Sequence, residues 1–266
     1  METRRLKNIA ILILLLLNAF LLLLLGYQEF LGRRAQQDAL DGVETLFASE
    51  GLVLTLEDNT LQKSLSAVTL VRQSESEASV AAFLLGESVA AYSEGGGIYS
   101  YTAQTGTMQF RSGGFDTVRL NRPVEDAREF VRRFCDKFGY EDIEGTLTDG
   151  SGSVTMTQYV AKVPILGCTV TMTFENNCLV FVAGAHIDLS DAKMDDDEPL
   201  SNVSILVRFF DFRRQEGAVC SEIRDVQCVY QLRSDATSFR LVPLWIVETD
   251  TYRYLVDGIS GDVSRS

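Results

Sequence analysis

CTVTMTFENNCLVFVAGAHI, residues 168–187, decides the fold class. Cys168 to Phe174 and Cys178 to Ile187 are strand-like runs rich in β-branched and aromatic residues. Asn176-Asn177 between them has the tolerance of positive φ that a tight hairpin needs. This register sets Glu175 opposite Cys178 and Cys168 opposite Ala185, so the two cysteines are not cross-strand partners. Another strand-like run, Val154 to Val163, precedes them. Upstream, Pro123 reads as the opening of a helix in which Ala127, Phe130, Val131, Phe134, Cys135 and Phe138 form an apolar stripe closed by Gly139. Its opposite face carries Asp126, Arg128, Glu129, Arg132, Arg133 and Lys137. Residues 121–190 are thus expected to pack one helix on an antiparallel sheet.

The same order returns after Pro199: a helix-like Val203 to Gln215, strands near Ile223 to Leu232, Phe239 to Glu248 and Tyr252 to Asp257, and a turn at Ser260-Gly261. Residues 200–266 form a further α+β unit packed with the second, and 191–199 an acidic linker. A first α+β domain is expected over 51–120, with a helix-like Ser79 to Leu85 and a hairpin over Ile98 to Phe110 turning at Thr105-Gly106. YSYTAQTGTM (Tyr99 to Met108) also aligns without gaps on YLVDGISGDV (Tyr254 to Val263), which sets the two glycine turns on each other.

Before this lies an apolar run from Ile9 to Leu25, broken only by Asn18 and preceded by Arg4, Arg5 and Lys7. Extended through Tyr27 it makes a helix of about 28 Å, close to the hydrocarbon thickness of a bilayer. No A-x-A cleavage site follows it, so the run reads as an uncleaved anchor over 8–27, with 1–7 in the cytoplasm and a juxtamembrane helix over 28–50 that Gly51 ends. The bulk of the chain is then extracytoplasmic.

Of the net charge of −13, residues 1–27 hold +2, so the remainder carries −15. A surface this acidic repels nucleic acid. Five cysteines, an odd number, leave at least one unpaired, and they read mainly as small core residues.

The candidate sites each have a plain reading. His186 is the only histidine, without nucleophile-elbow, CxxC or HxxxH context, and reads as an ordinary strand residue. Asp191, Asp195, Asp196, Asp197 and Glu198 lack EF-hand spacing and read as a solvated linker. Gly95-Gly96-Gly97 has no following lysine and serine and reads as a loop. Nothing singles out a glycosidase pair among Glu141, Asp142, Glu144 and Asp149. Asn18 differs: with Ala10, Leu14, Leu22 and Gly26 it forms a stripe suited to helix docking. No catalytic, cofactor-binding or metal site is expected.

NIAILILLLLNAFLLLLLGYQEF (8–30), followed by tandem helix-plus-sheet units, resembles the YycI family and its sister YycH, membrane proteins that restrain the YycG (WalK) sensor histidine kinase. LVPLWIVETDTYRYLVDGISGDV (241–263) and YVAKVPILGCTVTMTFENNCLVFVAG (159–184) resemble PepSY-type units. There Pro243, Trp245, Asp257 and Gly261 stand at fold-signature positions. The resemblance implies a non-enzymatic, membrane-anchored regulator of a sensor kinase, with a YycH-like membrane partner. A PepSY-like binding or protease-inhibitory module is the alternative.

Overall fold

The computed structural model describes residues 2–55, 64–71, 73–86, 89–111, 114–234 and 238–266; within α1 (Glu2–Ser49) it describes side chains at 14–24, 27, 34 and from 38 on. α1 ends where Gly51 takes φ +70 and the Leu52 N–H returns to the Phe47 carbonyl at 2.9 Å. Its last turns are built into the protein. Val43 and Phe47 are buried, and the Phe47 ring stacks on Phe210 at 5.2 Å.

The strands β1 (Val53–Leu54) and β2 (Val68–Val71) and the helix α2 (Ser74–Leu85) come next. A meander follows, of β3 (Ala90–Gly95), β4 (Ile98–Ala103), β5 (Gly106–Arg111) and β6 (Gly114–Leu120), and then β7 (Arg122–Pro123). Pro123 thus sits in a strand and does not open the helix. The helix α3 (Ala127–Phe138) starts at Asp126, whose carboxylate accepts the Glu129 N–H at 2.8 Å, and stops at Gly139 in the left-handed region. Its stripe of Ala127, Phe130, Val131, Phe134 and Cys135 is buried.

Three tight hairpins join β8 (Tyr140–Thr148), β9 (Ser151–Val160), β10 (Val163–Glu175) and β11 (Cys178–Gly184). Their turn pairs, Asp149-Gly150, Ala161-Lys162 and Asn176-Asn177, all have positive φ at both residues. Glu175 pairs with Cys178 as the turn dictates, but a bulge then leaves Val180 without a partner. The register moves by one, and Ala185 donates to the Thr169 carbonyl rather than lying opposite Cys168. After β12 (Lys193–Met194) come α4 (Asn202–Glu216), β13 (Glu222–Ser234), β14 (Ser238–Thr249), β15 (Arg253–Asp257) and β16 (Val263–Arg265).

The expected tandem α+β units behind a transmembrane helix are not what forms. Among the described residues, sixteen strands join into one mixed sheet with the central order β12-β2-β14-β13-β10-β11-β6-β5-β4-β3. The cause is β10, long enough to serve two neighbours. Its first part pairs in parallel with β13, Ile165 with Tyr230 and Leu166 with Gln231, and its second part pairs with β9 and β11. Pro164 and Gly167 make that segment read as a break, whereas it is the bridge, with Ile165 buried in one cluster with Leu70, Tyr230 and Leu241 and Leu166 left exposed. Residues 51–120 are also divided: β1 pairs with β13 and β2 with β14, while α2 and β3–β6 join the other half. Among the described residues, no helix is long and apolar enough to cross a membrane.

Two helix-covered cores result. α2 and α3 pack on one face of β4–β6 and β8–β11 around Phe134, Met172 and Val182. α4 and the end of α1 cover the C-terminal strands around Trp245, Phe209 and Tyr254.

Candidate functional site

The strand β11 runs on into His186-Ile187-Asp188, which passes the carboxyl end of α3 and the amino end of α2. A cleft of about 520 Å³ lies there, lined among others by Glu75, Ser76, Lys137, Tyr159, His186 and Asp188. Its back wall is held by Gln158 of β9, which is 3% exposed. The Gln158 amide nitrogen donates to the carbonyls of Phe138 (3.2 Å) and Ile187 (2.9 Å). Its oxygen accepts the Ile187 N–H at 3.1 Å and lies 2.9 Å from Cys168 Sγ. One buried amide thus satisfies both backbone groups of Ile187 and ties the end of α3 to the segment after β11.

His186 lies against Tyr140 and edge-on to Phe138, at ring distances of 6.0 and 5.3 Å. Burial lowers its pKa to about 4, against the opposing pull of Asp188, so the imidazole is neutral at physiological pH. Tyr140 donates to the Ala185 carbonyl at 2.6 Å, with His186 Nδ1 3.3 Å from the same hydroxyl. Burial pushes the Cys168 thiol up to about 12, so the nearby sulfur is not a thiolate and no imidazole–thiolate couple arises. For Asp188, burial alone would raise the pKa, but hydrogen bonds from Ser190 and Ser76, and the charge His186 gains in acid, bring it below the usual value. The ammonium of Lys137 lies 5.1 Å from the Phe138 ring and 5.5 Å from that of Phe83. The cleft therefore offers hydrogen bonds and a fixed charge at its rim.

The sequence-derived candidates fall elsewhere. Leu14, Asn18 and Leu22 are exposed on α1, whereas Ala10 and Gly26 lie outside the described side chains. Pro243, Trp245, Asp257 and Gly261 hold β14, β15 and the turn after them. Trp245 is fully buried between Cys228 and Val256, and the Pro243 carbonyl accepts the Gly258 N–H at 2.8 Å. Asp257 accepts the N–H groups of Ile259 (2.9 Å) and Ser260 (3.0 Å) and an Arg233 guanidinium N–H at 2.8 Å. Gly261 takes φ +78, whereas Gly106 has no positive φ and is required because a Cβ there would meet the Arg119 carbonyl at 2.1 Å. The two aligned turns thus use glycine for different reasons.

The acidic segment is no free linker: β12 pairs with β2, and Arg240 binds Asp195 at 2.8 Å and Asp197. Among the described residues no cluster of ligating side chains fit for a metal ion forms. Gly95-Gly96-Gly97 makes the β3–β4 turn. Glu141, Asp142 and Glu144 lie on β8, where Asp142 accepts from the Tyr159 hydroxyl, and Asp149 makes the β8–β9 turn. All five cysteines are free and only Cys178 is not buried. Gln158 and Tyr140 escaped the sequence reading; a glutamine at an inward strand position is the one signal that marks the clamp.

No family model matches this chain, and no curated protein is similar to it. A solved structure is. The C-terminal domain of Bacillus megaterium YpeB matches at 11% identity and a TM-score of 0.33, over 73% of this chain and 98% of that one. These comparisons do not show the YycI and YycH resemblance.

Proposed function

We propose that the chain is a binding module of the PepSY-like kind, acting by protein contacts without catalysis, held at a membrane by α1 with its body on the extracytoplasmic side. The observation that carries this reading is the exposure of Leu14, Leu15, Leu16 and Leu17 at 58%, 63%, 61% and 54%. Four successive helix positions cover a full turn, so the apolar surface faces every direction and calls for an apolar surrounding rather than one partner groove. The other end of the same helix is buried beside Phe210. Whatever holds the leucines is thereby linked by one continuous helix to the C-terminal core.

Flotation tests this. The full chain mixed with uncharged phosphatidylcholine vesicles in high salt is expected to float with the lipid, and a variant with Leu15, Leu16, Leu22 and Leu23 changed to serine to stay below. Equal behaviour of the two would overturn the reading.

A second reading rests on Leu14, Asn18 and Leu22, all exposed at a spacing of four. On it, the Asn18 amide docks on a helix of a YycG/WalK-like sensor kinase, with a YycH-like protein as co-partner, and shifts the population of its signalling states. Asn18→Leu is then expected to change kinase output while leaving flotation intact. Unchanged output would remove this reading.

A further inference from the structure

The helices α2 and α3 cover one face of the β3–β11 half of the sheet, and among the described residues no helix packs on the opposite face. On that face one register row crosses from strand to strand: Thr155 pairs with Thr171, Thr171 with Ala183, Ala183 with Asp116, Asp116 with Gln109, and Gln109 with Ser100. Every member is small or polar. The part over β5, β6 and β11 sinks into a concavity of about 350 Å³, lined by Gln109, Arg111, Asp116 and Ala183 with Gly114 and Gly184 as bare backbone. A Cβ at Gly114 would stand 2.8 Å from the Gly184 carbonyl, so the depression exists because both strands lack side chains there.

Planar polar groups line it in a continuous chain. Arg111 donates to Gln109 Oε1 at 2.8 Å and pairs with Asp116 at 3.4 Å; Gln109 donates to Glu94 at 3.2 Å, and Ser100 donates to the same carboxylate. Two exposed aromatics flank the chain on this face. Tyr92 pairs with Ser100 and is 61% exposed, and Phe181 lies two residues from Ala183 and is 43% exposed. Four strand spacings separate β3 from β11, so the rings stand about 20 Å apart.

The charges on this face are of both signs: Arg111 pairs with Asp116, Glu94 accepts hydrogen bonds from Ser100 and Gln109, and the register also sets Arg119 opposite Thr107 and Glu144 opposite Thr155. With both signs interspersed it presents no single-sign field, and the net −13 of the chain repels polyanions. What remains is a flat surface of fixed donors and acceptors with an apolar ring face at each end. That chemistry suits a ligand with many hydroxyls and apolar C–H faces.

We propose that this face binds an uncharged oligosaccharide laid across β11, β6, β5, β4 and β3, its hydroxyls bonded to Gln109, Arg111 and Asp116 and its sugar faces resting on Tyr92 and Phe181. The inference does not depend on the membrane reading.

The test is calorimetric titration of the full chain, kept in a zwitterionic detergent so that no sugar headgroup competes, with chitotetraose in one arm and maltotetraose in the other. At least one is expected to bind, and Tyr92→Ala and Arg111→Ala each to weaken it about tenfold, or about 1.4 kcal/mol. Both side chains are exposed, and an unchanged far-UV circular dichroism spectrum and melting temperature verify that the variants fold. Three outcomes would overturn the proposal: no binding of either sugar at millimolar concentration, binding indifferent to both substitutions, or concentration-dependent dimers that Tyr92→Ala abolishes.

Discussion

Replacing Phe47 by alanine tests whether the long first helix belongs to the C-terminal core. Phe47 is fully buried, and its ring lies nearly parallel to Phe210, 14° between planes, with Val43, Leu206 and Phe209 in the same cluster. Deleting a buried phenylalanine ring costs about 3–5 kcal/mol in lost transfer energy and cavity. The stacked pair contributes about 0.5–1.5 kcal/mol beyond its area. Against a total stability of about 5–15 kcal/mol, that is a large fraction, and the melting temperature should fall by about 10 °C. Trp245 is the only tryptophan and sits in the same cluster, so its emission reports on this core alone. Phe47→Ala is expected to lower the urea midpoint of the Trp245 transition strongly, whereas Leu16→Ala on the exposed stretch leaves it in place. A Phe47→Ala shift worth less than about 1 kcal/mol would mean that α1 does not help build the core, and the link from the leucines to the body would fall.

Three further outcomes follow from the cleft and the cysteines. Gln158→Leu strands the N–H and carbonyl of Ile187, at about 1–3 kcal/mol for each buried group; hydrogen exchange at Ile187 should accelerate, and unchanged protection would contradict the clamp. His186 gives a single histidine titration by NMR, expected near pH 4. Because its folded pKa lies below the unfolded value of about 6.5, the unfolded state takes up the proton first, so its stabilising contribution is full above pH 6.5 and is lost as pH falls toward 4; His186→Gln should flatten that part of the stability profile. Of the five thiols, Cys178 alone is expected to react quickly with a disulfide reagent in the native protein, since burial pushes Cys135 up to about 11 and Cys168 and Cys228 up to about 12; rapid reaction of two or more would contradict the packing.

Local chemistry was legible wherever one short segment settled it. Asn176-Asn177, the stripe of α3 and the glycine stops at Gly51 and Gly139 each determine their own element, and all stand as read. Asp149-Gly150 carries the same turn signal and marks the β8–β9 hairpin, which exposed, charged β8 otherwise hides. Ala161-Lys162 gives no signal at all, because neither residue favours positive φ and the turn is imposed by the strands on either side. Long-range pairing was the illegible part. No periodicity shows that Ile165 and Leu166 lie beside Tyr230 and Gln231, yet those two pairs turn separate units into one sheet. The cleft shares that fate, since its walls come from α2, α3, β9 and the segment after β11, which are far apart in the chain.

The account stands or falls on whether the leucines of α1 enter lipid while the body stays in water. Nitroxide labels at Leu16 and Leu22, with controls at the exposed Met194 and Val219, can be read by power-saturation EPR in phosphatidylcholine vesicles. The account predicts high oxygen and low nickel-chelate accessibility at the first two sites and the reverse at the controls. Equal nickel accessibility at all four positions would contradict it.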